Sequence, residues 1–191
     1  MEKVEINKNM KLSEHFTLGE MCKTKHVTAD GNIPSRVVIE NLIRVCGWLE
    51  ELRVLAGVRP QSKVVAGVRP QSKVAGDCTL APDPRAALDP GAAPSARKEV
   101  PIVINSGYRS PEVNRLAGGA ANSNHLSGCA VDIRCVGKEQ MIRYASILLD
   151  IADGSKQEYD ELLLEQHGSV CWLHFAVRPK ENRRIIRFLR V

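Results

Sequence analysis

Aromatic residues are scarce in this chain, at 4% of 191 residues, so aliphatic side chains must fill most of any core. No uninterrupted apolar run approaches the roughly 20 residues needed to cross a bilayer, and no transmembrane segment is expected. Met1 to Leu12 mixes charge and polarity without an apolar centre, unlike a secretory signal, so the expectation is synthesis in the cytoplasm, with any export by another route. The six cysteines (Cys22, Cys46, Cys78, Cys129, Cys135 and Cys171) never fall at Cys-x-x-Cys spacing. Reduced, packed or surface thiols are the expectation for such a set. There is also no aromatic-studded basic face, so no nucleic-acid partner is expected.

What is present fits a globular domain. A hydrophobic content of 43% is enough to bury a core, and 191 residues make one domain or a domain with an appendage. The formal charge of +5 is mild, and much of it sits beyond Pro179. It suggests attraction to anionic polymers.

Along the chain, Thr17 followed by Glu20 has the spacing of a capping box and predicts a helix start. From Pro34 and Ser35, apolar residues from Val37 to Leu52 recur at helical spacing, predicting a second helix that stops near Leu55. A tandem ten-residue duplication follows: VLAGVRPQSK over Val54 to Lys63, then VVAGVRPQSK over Val64 to Lys73. Its successor is rich in Ala, Pro, Gly and Asp. Residues 57–98 therefore read as an inserted, disordered low-complexity loop within one domain spanning 1–191, because such composition buries too little apolar surface to offset ordering entropy. Val100 to Ile104 predicts a buried strand. After it come a turn, a helix closed by Gly118 and Gly119, a helix from Lys138 to about Ala152 with Met141, Ile142, Tyr144, Ala145, Leu148 and Leu149 expected on its inner side, and a hairpin of Tyr159–Glu165 with Cys171–Val177.

Three residues stand out. His125 and Asp132 lie in Ser123-Asn124-His125-Leu126-Ser127-Gly128-Cys129-Ala130-Val131-Asp132, and His174 follows Trp172 far downstream. Two imidazoles and a carboxylate are the protein ligands of a catalytic zinc site, with the fourth position left to water. Strand parity supports the set. If Val131 and Ile133 enter the core, Asp132 faces away from it; if Leu173, Phe175 and Val177 do, so do Trp172 and His174.

Together, Ser106-Gly107-Tyr108-Arg109-Ser110, Ser123-x-His125-x-x-Gly128-x-Ala130-x-Asp132 and Trp172-x-His174 resemble the zinc D-alanyl-D-alanine metallopeptidase family, particularly its compact branch in phage endolysins and bacterial cell-wall enzymes. Leu12 to Glu20 is similar to the start of that branch, and the likeness omits the duplicated segment. The resemblance implies an α+β fold of the hedgehog/DD-peptidase type, with helices packed on a small, mostly antiparallel sheet. It implies Zn2+ on His125, Asp132 and His174, and a peptidoglycan stem peptide as substrate. Arg109 would hold a substrate carboxylate or stabilise the oxyanion, and Ser123 and Trp172 would contact substrate.

Better-known relatives carry a glutamate three residues before the last histidine, where this chain has Cys171. A thiol there is expected to be packed. The general base is then expected from Glu165, set across from His174 by the connection from Gly168 to Cys171, with Glu161 on the same face in reserve and Asp160 toward the core. Because the fold is similar to the hedgehog signalling domain, a non-catalytic zinc-fold binding module is the alternative. The basic end, from Arg178 to Arg190, would supply weak attachment to an anionic wall.

Overall fold

The computed structural model describes residues 7–57 and 100–190; residues 58–99, which hold most of the duplication, the low-complexity run and Cys78, lie outside them. The elements run α1 (Leu18–Met21), α2 (Arg36–Gly57), β1 (Ile104–Ser106), α3 (Pro111–Leu116), a 3-10 turn (Asn124–Ser127), β2 (Ala130–Cys135), α4 (Gly137–Ser155), β3 (Glu161–His167), β4 (Val170–Ala176) and β5 (Ile185–Arg190). The fold is α+β, built on one five-stranded sheet of order β1-β2-β4-β3-β5. No helix among the described residues is long and apolar enough to cross a membrane.

Local chemistry explains most of the elements. Thr17 and Glu20 form the reciprocal capping box that opens α1. Ser110 caps α3 through its hydroxyl, with Pro111 in the first turn where a missing N–H costs nothing. α2 and α4 present Leu42, Leu49, Leu52, Tyr144, Leu148 and Ile151 to the sheet, which answers with Val131, Ile133, Leu162, Leu164, Leu173 and Phe175. Trp48 packs on Phe175 with ring centroids 5.2 Å apart, so two of the few aromatics meet at the centre of the core.

Four expectations need correction. The apolar run Val100–Ile104 is not itself the strand, since β1 is Ile104–Ser106. Pro101 has no N–H to give a ladder, Ile102 turns into the core and Val103 is half exposed, leaving only the Val103 carbonyl to accept from the Arg134 N–H. On α4 the inner face is completed by Ile151 and Ala152 instead of Ile142, which is exposed. The hairpin register pairs Leu163, not Glu165, with His174; Glu165 stands opposite Trp172 because His167 pairs with Val170 across a two-residue connection. The basic end is not a loose tail: Ile185–Arg190 joins the sheet as β5, parallel to β3, making the sheet mixed. There Ile185, Ile186, Phe188 and Leu189 supply the apolar content, and the Ile185 N–H donates to the Asp160 carbonyl.

Candidate metal centre

β2 and β4 run antiparallel with Asp132 directly opposite His174. The Val177 N–H donates to the Cys129 carbonyl, and ladder alternation then makes Asp132 and His174 a non-hydrogen-bonded pair, the kind in which facing side chains approach most closely. Their neighbours Val131, Ile133, Leu173 and Phe175 are fully buried on the helix side, so strand parity drives both polar side chains to the other face. His125 reaches the same point from the 3-10 turn before β2. Gly128 ends that turn at φ +70°, and a Cβ there would lie 2.7 Å from the Val38 carbonyl oxygen, so only glycine suits the position.

Potential ligand atoms of His125, Asp132 and His174 all lie within 4.8 Å of one another, and all three residues are buried. Asp132 Oδ1 is the shared centre, 3.2 Å from His125 Nε2 and 2.9 Å from His174 Nδ1. Each residue has an outer partner. His125 Nδ1–H donates to the Gly107 carbonyl at 2.6 Å, which leaves Nε2 with its lone pair toward the centre. His174 turns Nε2 toward Glu161 Oε2 at 3.6 Å, leaving Nδ1 for the centre. Arg109 donates from Nη2 to Asp132 Oδ2 at 2.5 Å and from Nε to Ser106 Oγ at 2.8 Å. Outer contacts of this kind fix tautomer and orientation at metal sites.

The charges agree with the geometry. Burial opposes ionisation of Asp132, but the imidazoles beside it hold its carboxyl below the usual carboxylate range. Burial alone would lower His174; hydrogen bonds to Asp132 and Glu161 outweigh it and raise the pKa from 6.5 to about 9. Without metal, then, the raised imidazole contributes stability that is complete below pH 6.5 and lost as pH rises through about 9. Metal must displace that proton. We predict that metal affinity rises about tenfold per pH unit from neutrality toward pH 9, with close to one proton released per ion, measured by titration calorimetry in buffers of different ionisation enthalpy.

The other candidates fall around this centre. Glu165 is on the same face, two residue pairs along from His174, and accepts a hydrogen bond from Trp172 Nε1. Burial pushes its carboxyl above 4.5 and the Asp132 charge adds to this, against partial opposition from His174 and Trp172. Glu161 moves the other way: His174 foremost, with Asn124 and Arg183, holds its carboxyl below 4.5 despite burial. Asp160 is fully buried, bridged by Asn124 at 2.8 Å and by Arg183 at 2.7 and 2.8 Å. Ser123 uses its hydroxyl to accept from the His125 N–H at 3.3 Å, capping the ligand turn. Cys171 is buried on the helix face, a packed thiol turned away from the centre.

Residues 77–157 match the family model described as Peptidase M15. This is the family that the motifs resemble. The M15 match begins inside the 57–98 segment, takes in Arg109, Ser123, His125 and Asp132, and ends before Glu161, Glu165 and His174, which the sheet brings to the same centre. M15 enzymes are peptidases, typically metal-dependent, and the buried His-Asp-His group could hold a metal ion. A search of curated proteins finds no match to the chain.

Sequence reasoning missed two parts. One is the Gly107 carbonyl behind His125; the other is the Asn124 and Arg183 clamp on Glu161. Asn124 stands inside the Ser-Asn-His motif, but its partners, Asp160 and Glu161, arrive only at the start of β3. Gly107 is pressed on α1: a Cβ would lie 2.3 Å from the Met21 carbonyl oxygen, which also accepts from the Tyr108 N–H at 2.7 Å. A Gly107→Ala protein is expected to lose about 1–3 kcal/mol of stability, as overpacked sites do, and to bind metal more weakly as the carbonyl is forced off His125. Thermal unfolding and metal titration check both.

Proposed function

We propose that the protein is a zinc-dependent peptidase hydrolysing D-amino-acid-containing peptides of peptidoglycan, as a D-Ala-D-Ala carboxypeptidase or a cell-wall endopeptidase. The observation that carries this reading is a buried two-histidine, one-aspartate set in which every member has an outer partner. That donor set suits zinc, which takes imidazole nitrogen and carboxylate oxygen alike. Zinc held there would supply Lewis-acid chemistry, activating water at neutral pH and polarising a carbonyl.

The chain's own groups divide the remaining work. Glu165 is the general base, taking a proton from the attacking water and passing it to the leaving amine; its raised pKa brings it nearer the working range of such a group. Glu161 is unsuited to that role because its carboxylate is engaged by His174, Asn124 and Arg183, so it orients His174 instead. Arg109 uses two nitrogens on Asp132 and Ser106, leaving Nη1 for the oxyanion. Ser123 and Trp172 line the substrate side. The site of action is the wall, reached after release or by another export route.

The test is turnover of purified wall and of D-Ala-D-Ala peptides by the zinc-loaded protein. Chelation should abolish cleavage and added zinc restore it. Zinc binding with no cleavage of either substrate would make the protein a binding module instead.

A further inference from the structure

Arg109 lies between β1 and α3, so neither a strand ladder nor a helix of its own aims its side chain. Both peptide units flanking its Cα are nevertheless pinned. In the first, the Arg109 N–H donates to the His125 carbonyl at 3.1 Å, and the Tyr108 carbonyl accepts from Asn32 Nδ2 at 3.4 Å. In the second, the Ser110 N–H donates to Asn32 Oδ1 at 2.7 Å. One distant side chain therefore engages the backbone on either side of Arg109. The same Nδ2 donates to the Cys22 carbonyl at 2.9 Å, which anchors the amide to the end of α1. Asn32 is 3% exposed and sits at φ +53°, a left-handed conformation that asparagine tolerates better than most side chains. Asp30 supports that turn, accepting from the Asn32 N–H at 3.0 Å and from the Thr28 hydroxyl at 2.6 Å.

We propose that Asn32 is a positioning residue of the reaction: by fixing the two peptide planes about Arg109, it fixes the direction in which the guanidinium leaves the backbone. This rests on the peptidase reading, in which Arg109 stabilises the oxyanion. The guanidinium must meet Ser106 Oγ through Nε and Asp132 Oδ2 through Nη2 at once, which leaves Nη1 for that task. Such a three-way fit has little tolerance for a rotated backbone. A side-chain amide suits the post because it presents an acceptor and two donors in one plane. A displacement of about 1 Å at a catalytic group, caused from a distance, can cost about a hundredfold in rate.

The experiment compares zinc-saturated wild type with Asn32→Gly, which accepts the left-handed backbone and removes all three side-chain hydrogen bonds. On a D-Ala-D-Ala peptide, well below the melting temperature, kcat should fall about ten- to a hundredfold with KM within about twofold, the mark of an interaction made in the transition state. In an Arg109→Gln background the same substitution should change kcat by less than about twofold, because the group it positions is gone. A separate signature is the Arg109 Nε–H signal in NMR spectra, assigned by its absence from Arg109→Gln. It should be sharp and slow to exchange in the wild type, where it donates to Ser106, and broadened in Asn32→Gly. A kcat unchanged in Asn32→Gly, equal losses in both backgrounds, or an unaltered Arg109 signal overturns the proposal; a purely structural asparagine would lower only the melting temperature. Should Asn32→Gly not fold, Asn32→Asp keeps an acceptor for Ser110, loses the donors, and is held to the same three outcomes. If the wild type cleaves nothing, the peptidase reading fails while the Arg109 signal still decides this proposal.

Discussion

A His174→Ala protein is expected to fold, to lose metal affinity by more than about a hundredfold, and to turn over no peptide. Loss of an outer partner alone typically costs ten- to a hundredfold at a metal site, and here a ligand itself is removed. Folding should survive because Asp132 keeps the Arg109 guanidinium, so no buried carboxylate is left without a counter-charge. Metal titration, circular dichroism and peptide turnover measure the three outcomes. Cleavage by a zinc-free His174→Ala protein would sink the mechanism. Cys171→Ala is the companion control: its side chain packs on the helix face, so metal binding should be retained and only packing stability reduced.

The convergence of His174 and Asp132 on one face was legible in the sequence because strand parity is a local rule. Val131 and Ile133 around Asp132, and Leu173 and Phe175 around His174, are enough to say which way each polar side chain points. Register is not local. A two-residue difference in the length of the β3–β4 connection moved Glu165 from opposite His174 to opposite Trp172, while leaving it on the correct face. β5 was hidden for another reason: its arginines suggested a solvated end, and only the structure shows Arg183 and Arg184 consumed in ion pairs while Ile185 to Arg190 lie along β3. The outer partners were the least visible part. A backbone carbonyl such as that of Gly107 has no sequence signature, and the Asn124 clamp unites residues 36 and 37 positions apart.

Glu165→Gln is expected to lower kcat by about a hundred- to ten-thousandfold, the usual contribution of a positioned general base, with zinc content unchanged. Glutamine keeps an oxygen to accept from Trp172 Nε1, so the side chain retains its tether and loses only its ability to take a proton. Glu161→Gln should behave differently, weakening metal affinity about ten- to a hundredfold through the orientation of His174. A Glu161→Gln protein that binds zinc normally but has lost turnover would exchange the two roles. The pH profile gives a second reading. Burial raises the Glu165 carboxyl, so the acid limb of kcat/KM should lie above the 4.5 of an ordinary glutamate, with activity falling as pH drops and the base becomes protonated. The Trp172 hydrogen bond favours the charged form and partly offsets that rise. Trp172→Phe removes the donor while keeping an aromatic floor, and should move the acid limb to still higher pH; a limb that stays fixed in Trp172→Phe, and is equally present in the residual activity of Glu165→Gln, would assign it to another group.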